Sequence, residues 1–224
     1  MVLLSFTGFA LVFAMVIKPP PVSPNPGVVA YVLVVLSFGI GVASLIAFTI
    51  FLFIGPFDVI DLGLDVTQAL TLNAFLCVAF FLQHSGMIRS TARRWMTRVI
   101  PERYYGVLFS IASGITLLAL LLLWQETSPA LASVNSVYRW LFRAVFFLAI
   151  AGQAWATWAL RSADLFGTES VLRRSASTSP PEPMIVRGPY RWVRHPVYST
   201  TMMMIWSHPD LTSDRLLFNV LFTG

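Results

Sequence analysis

The chain has 224 residues, of which 57% are hydrophobic and 11% charged, with a formal net charge of +5. A soluble domain of this size carries about a quarter charged residues, and the mean hydropathy here is +0.75. The composition therefore excludes an ordinary soluble domain and specifies a polytopic membrane protein. Cys77 is the one cysteine, which excludes an intrachain disulfide and a multi-cysteine metal site. The basic residues cluster in two loops between apolar segments, a membrane-topology pattern rather than a nucleic-acid face.

A membrane helix needs about 20 mostly apolar residues. Five runs approach that standard, at residues 2–17, 28–54, 68–83, 105–124 and 141–160. The first has no basic residue ahead of it and no clear small-residue cleavage site, so it reads as a retained span rather than a signal peptide. A proline-rich segment, Pro19-Pro20-Pro21 to Pro26-Gly27, follows it. A sixth apolar region begins after Tyr198, is interrupted by Ser207-His208-Pro209-Asp210, and resumes from Arg215. The expected fold is all-α: a polytopic transmembrane helix bundle of five spans plus a C-terminal helical hairpin, truncated at its end. The expected organisation is one integral-membrane domain over 1–224. It divides into the N-terminal helix and Pro-rich loop (1–27), four further spans (28–160), and a cytoplasmic loop with the hairpin (161–224).

Loop charge sets the expected orientation. Residues 89–103 hold five arginines against Glu102, and residues 161–194 hold six against Asp164, Glu169 and Glu182. The 55–67 loop has Asp58, Asp61 and Asp65 with no basic residue, and 125–138 has Glu126 alone. Positive loops stay inside, which puts 89–103 and 161–194 in the cytoplasm and the N-terminus outside. The Ser/Pro-rich stretch at 175–183 reads as a flexible loop with local polyproline character, a plain linker or a cover over a site.

Gly188 to Tyr198 is the most informative stretch, with Arg191, Arg194, His195, Tyr190 and Tyr198 directly before an apolar run. Proline favours the first turn of a helix, so Pro196 marks a helix start. The free N–H groups and positive end of such a helix suit an anionic ligand group. Arginine, tryptophan and tyrosine also anchor helices at the membrane interface, and the residues alone leave anchor and site equally open. Gln83-His84-Ser85-Gly86 closes the third span. There His84 complements the helix dipole and Gly86 supplies the cap; alternatively, Gln83 and His84 line a polar cavity. Asp164-Leu165-Phe166-Gly167 is either a helix stop or a hydrogen-bonding site for a ribose or an amine. His208 precedes a proline in a turn, and Thr212 or Ser213 can cap the following segment. No glycine-rich phosphate loop, HExxH or GxSxG pattern occurs.

Arg194-His195-Pro196-Val197-Tyr198 resembles the RHPxY signature of the isoprenylcysteine carboxyl methyltransferase superfamily, which also takes in NnrU-like membrane proteins. Within it the chain looks most like the bacterial methanethiol S-methyltransferases. The closer likeness rests on Gln83-His84-Ser85-Gly86-Met87 with Arg93-Arg94-Trp95, on Asp164-Leu165-Phe166-Gly167, and on the Trp206 to Phe218 region. The resemblance implies an enzyme of the bacterial cytoplasmic membrane that uses S-adenosylmethionine, with no metal and no nucleic-acid partner. A small thiol such as methanethiol would take the methyl group and leave as dimethyl sulfide; a prenylcysteine carboxylate or a lipid amine is the alternative acceptor. Arg194, His195, Pro196 and Tyr198, with Tyr190, would hold the cofactor, and His84 would shape the thiol pocket or assist deprotonation as the catalytic residue. Two departures stand out. Ser199-Thr200-Thr201 replaces a small or apolar residue and a glycine, and relatives continue into a further helix with paired glutamates. The cofactor site is therefore expected to be incomplete, which keeps a non-catalytic membrane scaffold or binding protein as the competing reading.

Overall fold

A computed structural model describes residues 27–160, 164–172 and 187–224. The expected span at 2–17, most of the Pro-rich loop after it and the 175–183 stretch lie outside the described residues. The described chain is helical, apart from a two-residue ladder of β1 (Ala132–Ser133) and β2 (Asp210–Leu211). It divides into two compact units. The larger unit holds α1 (Val28–Ile54), α2 (Val66–Ile88), the short α3 (Ser90–Met96), a 3-10 turn at Glu102–Tyr104, α4 (Tyr105–Leu123), α6 (Thr168–Leu172) and α8 (Ser213–Thr223). The smaller holds α5 (Ser136–Ala159), a 3-10 turn at Gly188–Arg191 and α7 (Pro196–Trp206).

Among the described residues four helices are long and apolar enough to cross a membrane: Val28–Ile54, Val66–Ile88, Glu102–Leu123 (the 3-10 turn running into α4) and Ser136–Ala159. The protein is a multi-pass membrane protein. The expected 28–54 span matches α1 residue for residue. The others shift at their ends for reasons visible in the side chains. α2 starts two residues before the expected Gln68 because Asp65 and Gln68 form a capping box: Asp65 accepts from Gln68 N–H at 2.9 Å, and Gln68 Oε1 accepts from Asp65 N–H at 3.1 Å. Such a box satisfies two otherwise orphaned donors. α5 starts at Ser136 rather than 141, and its first turns carry Arg139, whose guanidinium is anchored by Asp210.

In the larger unit α4 packs on both α1 and α2, α8 packs on α2, and α6 packs on α1 and α4. Small residues make the α1–α4 approach close. Ser37, Gly41 and Ser44 are buried on α1, and Ser110 and Gly114 on α4. A Cβ built on Gly114 would lie 2.7 Å from Ile40 Cγ2. Lipid is as apolar as leucine, so helices in a membrane gain from such close contact rather than from hiding surface from water. Leu52, Val107, Leu120 and Leu121 complete the buried interior, while Val32, Phe75 and Leu82 face outward, as suits lipid.

One end of this unit is fastened by polar side chains in the buried interior. Asn73 donates to the Gln125 carbonyl at 2.8 Å and accepts from the Gln125 N–H at 3.0 Å. Asp214, 1% exposed, accepts from Trp124 Nε1 at 2.9 Å and from the N–H and hydroxyl of Thr127 at 3.1 and 2.7 Å. The Arg215 guanidinium donates to the Phe51 carbonyl at 3.2 Å and to that of Leu52 at 3.4 Å, near the end of α1. Phe218 and Phe222 of α8 then stack at 4.1 Å, and Phe222 stacks on Phe80 at 5.9 Å. Thr212 accepts from Arg215 N–H as the cap of α8, as expected from sequence.

Candidate functional site

The RHPxY stretch belongs to the smaller unit, and packing on α5 shapes it. Gly188, at φ +57°, lets the chain turn against α5, where a Cβ would meet Ala159 Cβ and Trp155 Nε1, both at 3.3 Å. Pro189 is buried, Tyr190 is half-buried, and burial pushes the Tyr190 phenol above its ordinary value. Trp192 sets its edge against Trp155, with centroids 5.6 Å apart. The chain then emerges, so that Trp192, Val193, Arg194 and His195 are all exposed.

The helix start is where the sequence placed it. Pro196 is the buried first residue of α7 and His195 its N-cap, with no side-chain capping bond. Ser199 N–H reaches the His195 carbonyl at 3.0 Å. Pro196 has no N–H, and the Val197 and Tyr198 amides lack an acceptor among the described residues, as first-turn amides do. The side chains of Arg194, His195 and Tyr198 likewise have no hydrogen-bond partner among the described residues, and Tyr198 is 54% exposed. Ser199-Thr200-Thr201, the departure from the family pattern, has a local explanation. Thr200 hydrogen-bonds Gln153 of α5, and Gly152 makes room for its methyl group. Asp210 is the one acidic residue in the described part of this unit, and it is committed to Arg139. Among the described residues of their own unit, the donors around α7 therefore face no competing carboxylate.

His84 belongs to the larger unit. Helix α2 continues past it to Ile88, and Arg89 N–H bonds the Gly86 carbonyl. Gly86 is thus a helical residue rather than the expected cap. His84 stacks on Phe80 at 5.3 Å and leans on Phe109 at 5.1 Å. Its Nδ1 lies 3.1 Å from Ser113 Oγ on α4. Gln83 joins the same group through Ser113 and Thr116. Gln83 and His84 thus join a hydrogen-bonded set between α2 and α4, with two members on α4 that sequence reasoning did not single out. A hydroxyl three residues from another, on a helix facing His84, is the signal that was available.

Asp164-Leu165-Phe166-Gly167 resolves into a structural device. The Asp164 carboxylate accepts from the N–H groups of Thr168 and Glu169 at 2.8 and 2.7 Å, capping the short α6. It is spent on that cap, so the reading as a ribose or amine ligand is set aside. Phe166 plugs into α1: its carbonyl accepts from Ser37 Oγ at 2.8 Å, and its ring lies where a Cβ on Gly41 would fall, at 2.5 Å. His208 Nδ1 is engaged with Asp210 backbone at 2.8 and 3.2 Å, in a turn. A cavity of about 240 Å³ in the larger unit is lined by Gly27–Ala30, Arg103, Tyr104 and Val171; none of the expected site residues lines it. Among the described residues no three His, Cys, Asp or Glu side chains cluster as metal ligands would.

Residues 72–224 match the NnrU protein family. The chain is 32% identical over 165 residues to a methanethiol S-methyltransferase from a Pseudomonas species, an alignment covering 72% of this chain and 63% of that protein. It is also 32% identical over 168 residues to a methanethiol S-methyltransferase of Mycobacterium tuberculosis, covering 71% and 66%. Mouse Nurim is 25% identical over 188 residues, covering 71% and 64%. The chain thus spans less than two thirds of the length of these relatives. No solved structure matches it. By the match across most of its length, with the RHPxY helix start and the QHS segment inside the matched region, the chain belongs to the NnrU family.

Proposed function

We propose that the chain is an integral-membrane methyltransferase that moves a methyl group from S-adenosylmethionine to a small thiol, with methanethiol giving dimethyl sulfide. The observation that carries this reading is the set of donors at the α7 start with no partner among the described residues: Arg194, His195, Tyr198 and the first-turn amides. They occur in a chain with relatives named for methanethiol methylation.

These residues fit the anionic end of the donor molecule. A guanidinium and free amides at a helix N-terminus are the groups a carboxylate requires. The half-buried Tyr190 ring and the exposed Tyr198 ring offer faces to a cationic or heteroaromatic portion. When bound, S-adenosylmethionine supplies a methyl group activated by a sulfonium. Arg194 and the Val197 and Tyr198 amides orient the carboxylate, and His195 donates or accepts beside it. Fixed orientation of this kind lowers the barrier of a two-reactant step by several kcal/mol, roughly, through avoided entropy loss. His84 is the residue for the methyl acceptor, a polar edge on an aromatic surface that suits a small sulfur compound. The wider reading is a five-span protein of a bacterial cytoplasmic membrane, folded as one integral domain, with loops 89–103 and 161–194 on the cytoplasmic side.

Calorimetry on the purified full chain tests it. Binding of S-adenosylmethionine that weakens at least about tenfold in His195→Ala, the scale of losing one charge-assisted hydrogen bond, is the expected result. Both the His195 and Arg194 side chains are exposed and have no hydrogen-bond partner among the described residues, so the fold should survive either truncation. Labelled cofactor with methanethiol should yield dimethyl sulfide, whereas product on a prenylcysteine or lipid amine would move the proposal to those acceptors. The Nurim relative, whose name states no reaction, supports a second reading as a non-catalytic membrane scaffold or binding protein. Binding without turnover on any acceptor favours that reading, and absence of binding overturns the enzyme.

A further inference from the structure

Four polar side chains meet where α2 packs on α4, inside segments otherwise rich in Leu, Phe, Ala and Gly. Their hydrogen bonds run in one direction, and the Gln83 carboxamide sets it. Gln83 Nε2 lies 3.2 Å from Met87 Sδ and 3.3 Å from Ser113 Oγ, and its Oε1 lies 2.8 Å from Thr116 Oγ1. A thioether sulfur is a weak acceptor with nothing to donate. The reverse amide orientation would press a carbonyl oxygen against that sulfur, lone pair on lone pair. Met87 therefore selects the orientation with N–H toward sulfur. Thr116 then donates to Oε1, and Nε2 donates to Ser113.

Ser113 still has its own hydroxyl proton to place. Among the described residues the one side-chain acceptor in reach is His84 Nδ1, at 3.1 Å. A ring nitrogen that accepts is unprotonated, so the neutral imidazole carries its proton on Nε2. Nε2 has no hydrogen-bond partner among the described residues and is not one of their buried unpaired atoms. Phe80 and Phe109 hold the ring, which keeps the Nε2 edge fixed in direction.

We infer that Gln83, Ser113 and Thr116, oriented by Met87, are positioning residues that hold His84 as an Nε2–H donor, so that the ring binds a sulfur acceptor through N–H···S rather than abstracting its proton. The inference rests on the reading of His84 as the acceptor-site residue proposed above. A thiol that reaches this donor as a thiolate has given its proton to water, and the N–H stabilises the anion over the neutral thiol. The relay favours this tautomer, because a proton on Nδ1 would turn the Ser113 hydroxyl proton away from its side-chain acceptor.

Nitrogen NMR of the full chain labelled at the histidine rings reads the tautomer directly, with His84 assigned by its loss in His84→Gln. The expected spectrum shows Nε2 protonated and Nδ1 unprotonated. Ser113→Ala should abolish that preference, and Ser113→Thr, which keeps the hydroxyl, should retain it. A proton on Nδ1 in the unsubstituted chain overturns the inference, as does an unchanged tautomer in Ser113→Ala. Methyl transfer supplies the second readout: His84→Gln keeps an N–H donor and should retain a measurable rate, while His84→Phe should lose it. Equal loss in both variants overturns the donor role. A chain with the expected tautomer that methylates no acceptor overturns the proposed function and leaves the tautomer assignment standing.

Discussion

Asp210 and Asp214 lie four residues apart and do opposite kinds of work. Asp214 is buried and caps three donors from the 124–127 turn; burying a carboxylate is tolerable only when its oxygens are filled this way. Asp210 is partly exposed and takes both guanidinium nitrogens of Arg139, at 2.6 and 2.7 Å, with Ser133 Oγ at 2.6 Å. The Arg139 hydrogen bonds, aided by Ser133, hold the Asp210 carboxyl down at about 2, against an ordinary value of 3.8. A carboxyl lowered by folding adds stability above its unfolded value and loses it as pH falls through the folded one. The stability gap between the native chain and Asp210→Asn should therefore be full at pH 7, shrink from about pH 4 downward, and vanish near pH 2. Detergent-solubilised unfolding of both proteins across that range checks it, and a gap that persists at pH 2 would contradict the assignment.

At the scale of elements, the described helices are joined by contacts too close for ordinary side chains. Gly106 opens α4 where the 164–167 segment crosses: a Cβ on Gly106 would lie 2.8 Å from Gly167 Cα, and one on Gly167 would lie 2.2 Å from the Gly106 carbonyl carbon. Gly167 also has φ +67°, a conformation other residues adopt at a cost of about 1–3 kcal/mol. Strain and overpacking together predict that Gly167→Ala destabilises the larger unit by at least about 3 kcal/mol. Gly86→Ala is the control. It lies within α2 with open space around it, and alanine there should be neutral or stabilising by up to about 1 kcal/mol. Denaturant titration in detergent distinguishes the two, and a mild Gly167→Ala effect would show that the crossing is not tight. The DLFG stretch thus docks α6 onto α1 and α4, a structural task that its composition did not disclose.

For the whole molecule, the open question is sidedness. The arginines of 89–103 and the aspartates of 55–67 flank opposite ends of α2, and positive loops remain in the cytoplasm. Cys77 is buried and should not react, so single cysteines can be introduced into the native chain. Ile60 and Trp95 have exposed side chains. A membrane-impermeant maleimide added to intact cells should label Ile60→Cys and spare Trp95→Cys until the membrane is opened. The reverse pattern would invert the orientation and place the proposed cofactor residues on the wrong face.

The sequence by itself determined the membrane class, the four long described helices to within a few residues, and the α7 start at Pro196. Each follows from a local rule: apolar length against bilayer thickness, or a ring that lacks an N–H. Asp65 and Gln68 were also locally legible as a capping box, and reading them would have moved the start of α2. Only the tertiary structure decided what Asp164, Ser113 and Asp214 do. A carboxylate can cap the next helix, bind a ligand or close a buried turn, and a serine can face lipid or a histidine. The choice depends on which distant groups packing brings within about 3 Å, and residue spacing along one helix does not contain that information. The fate of Gly86, helical rather than terminal, was likewise set by how far α2 could extend.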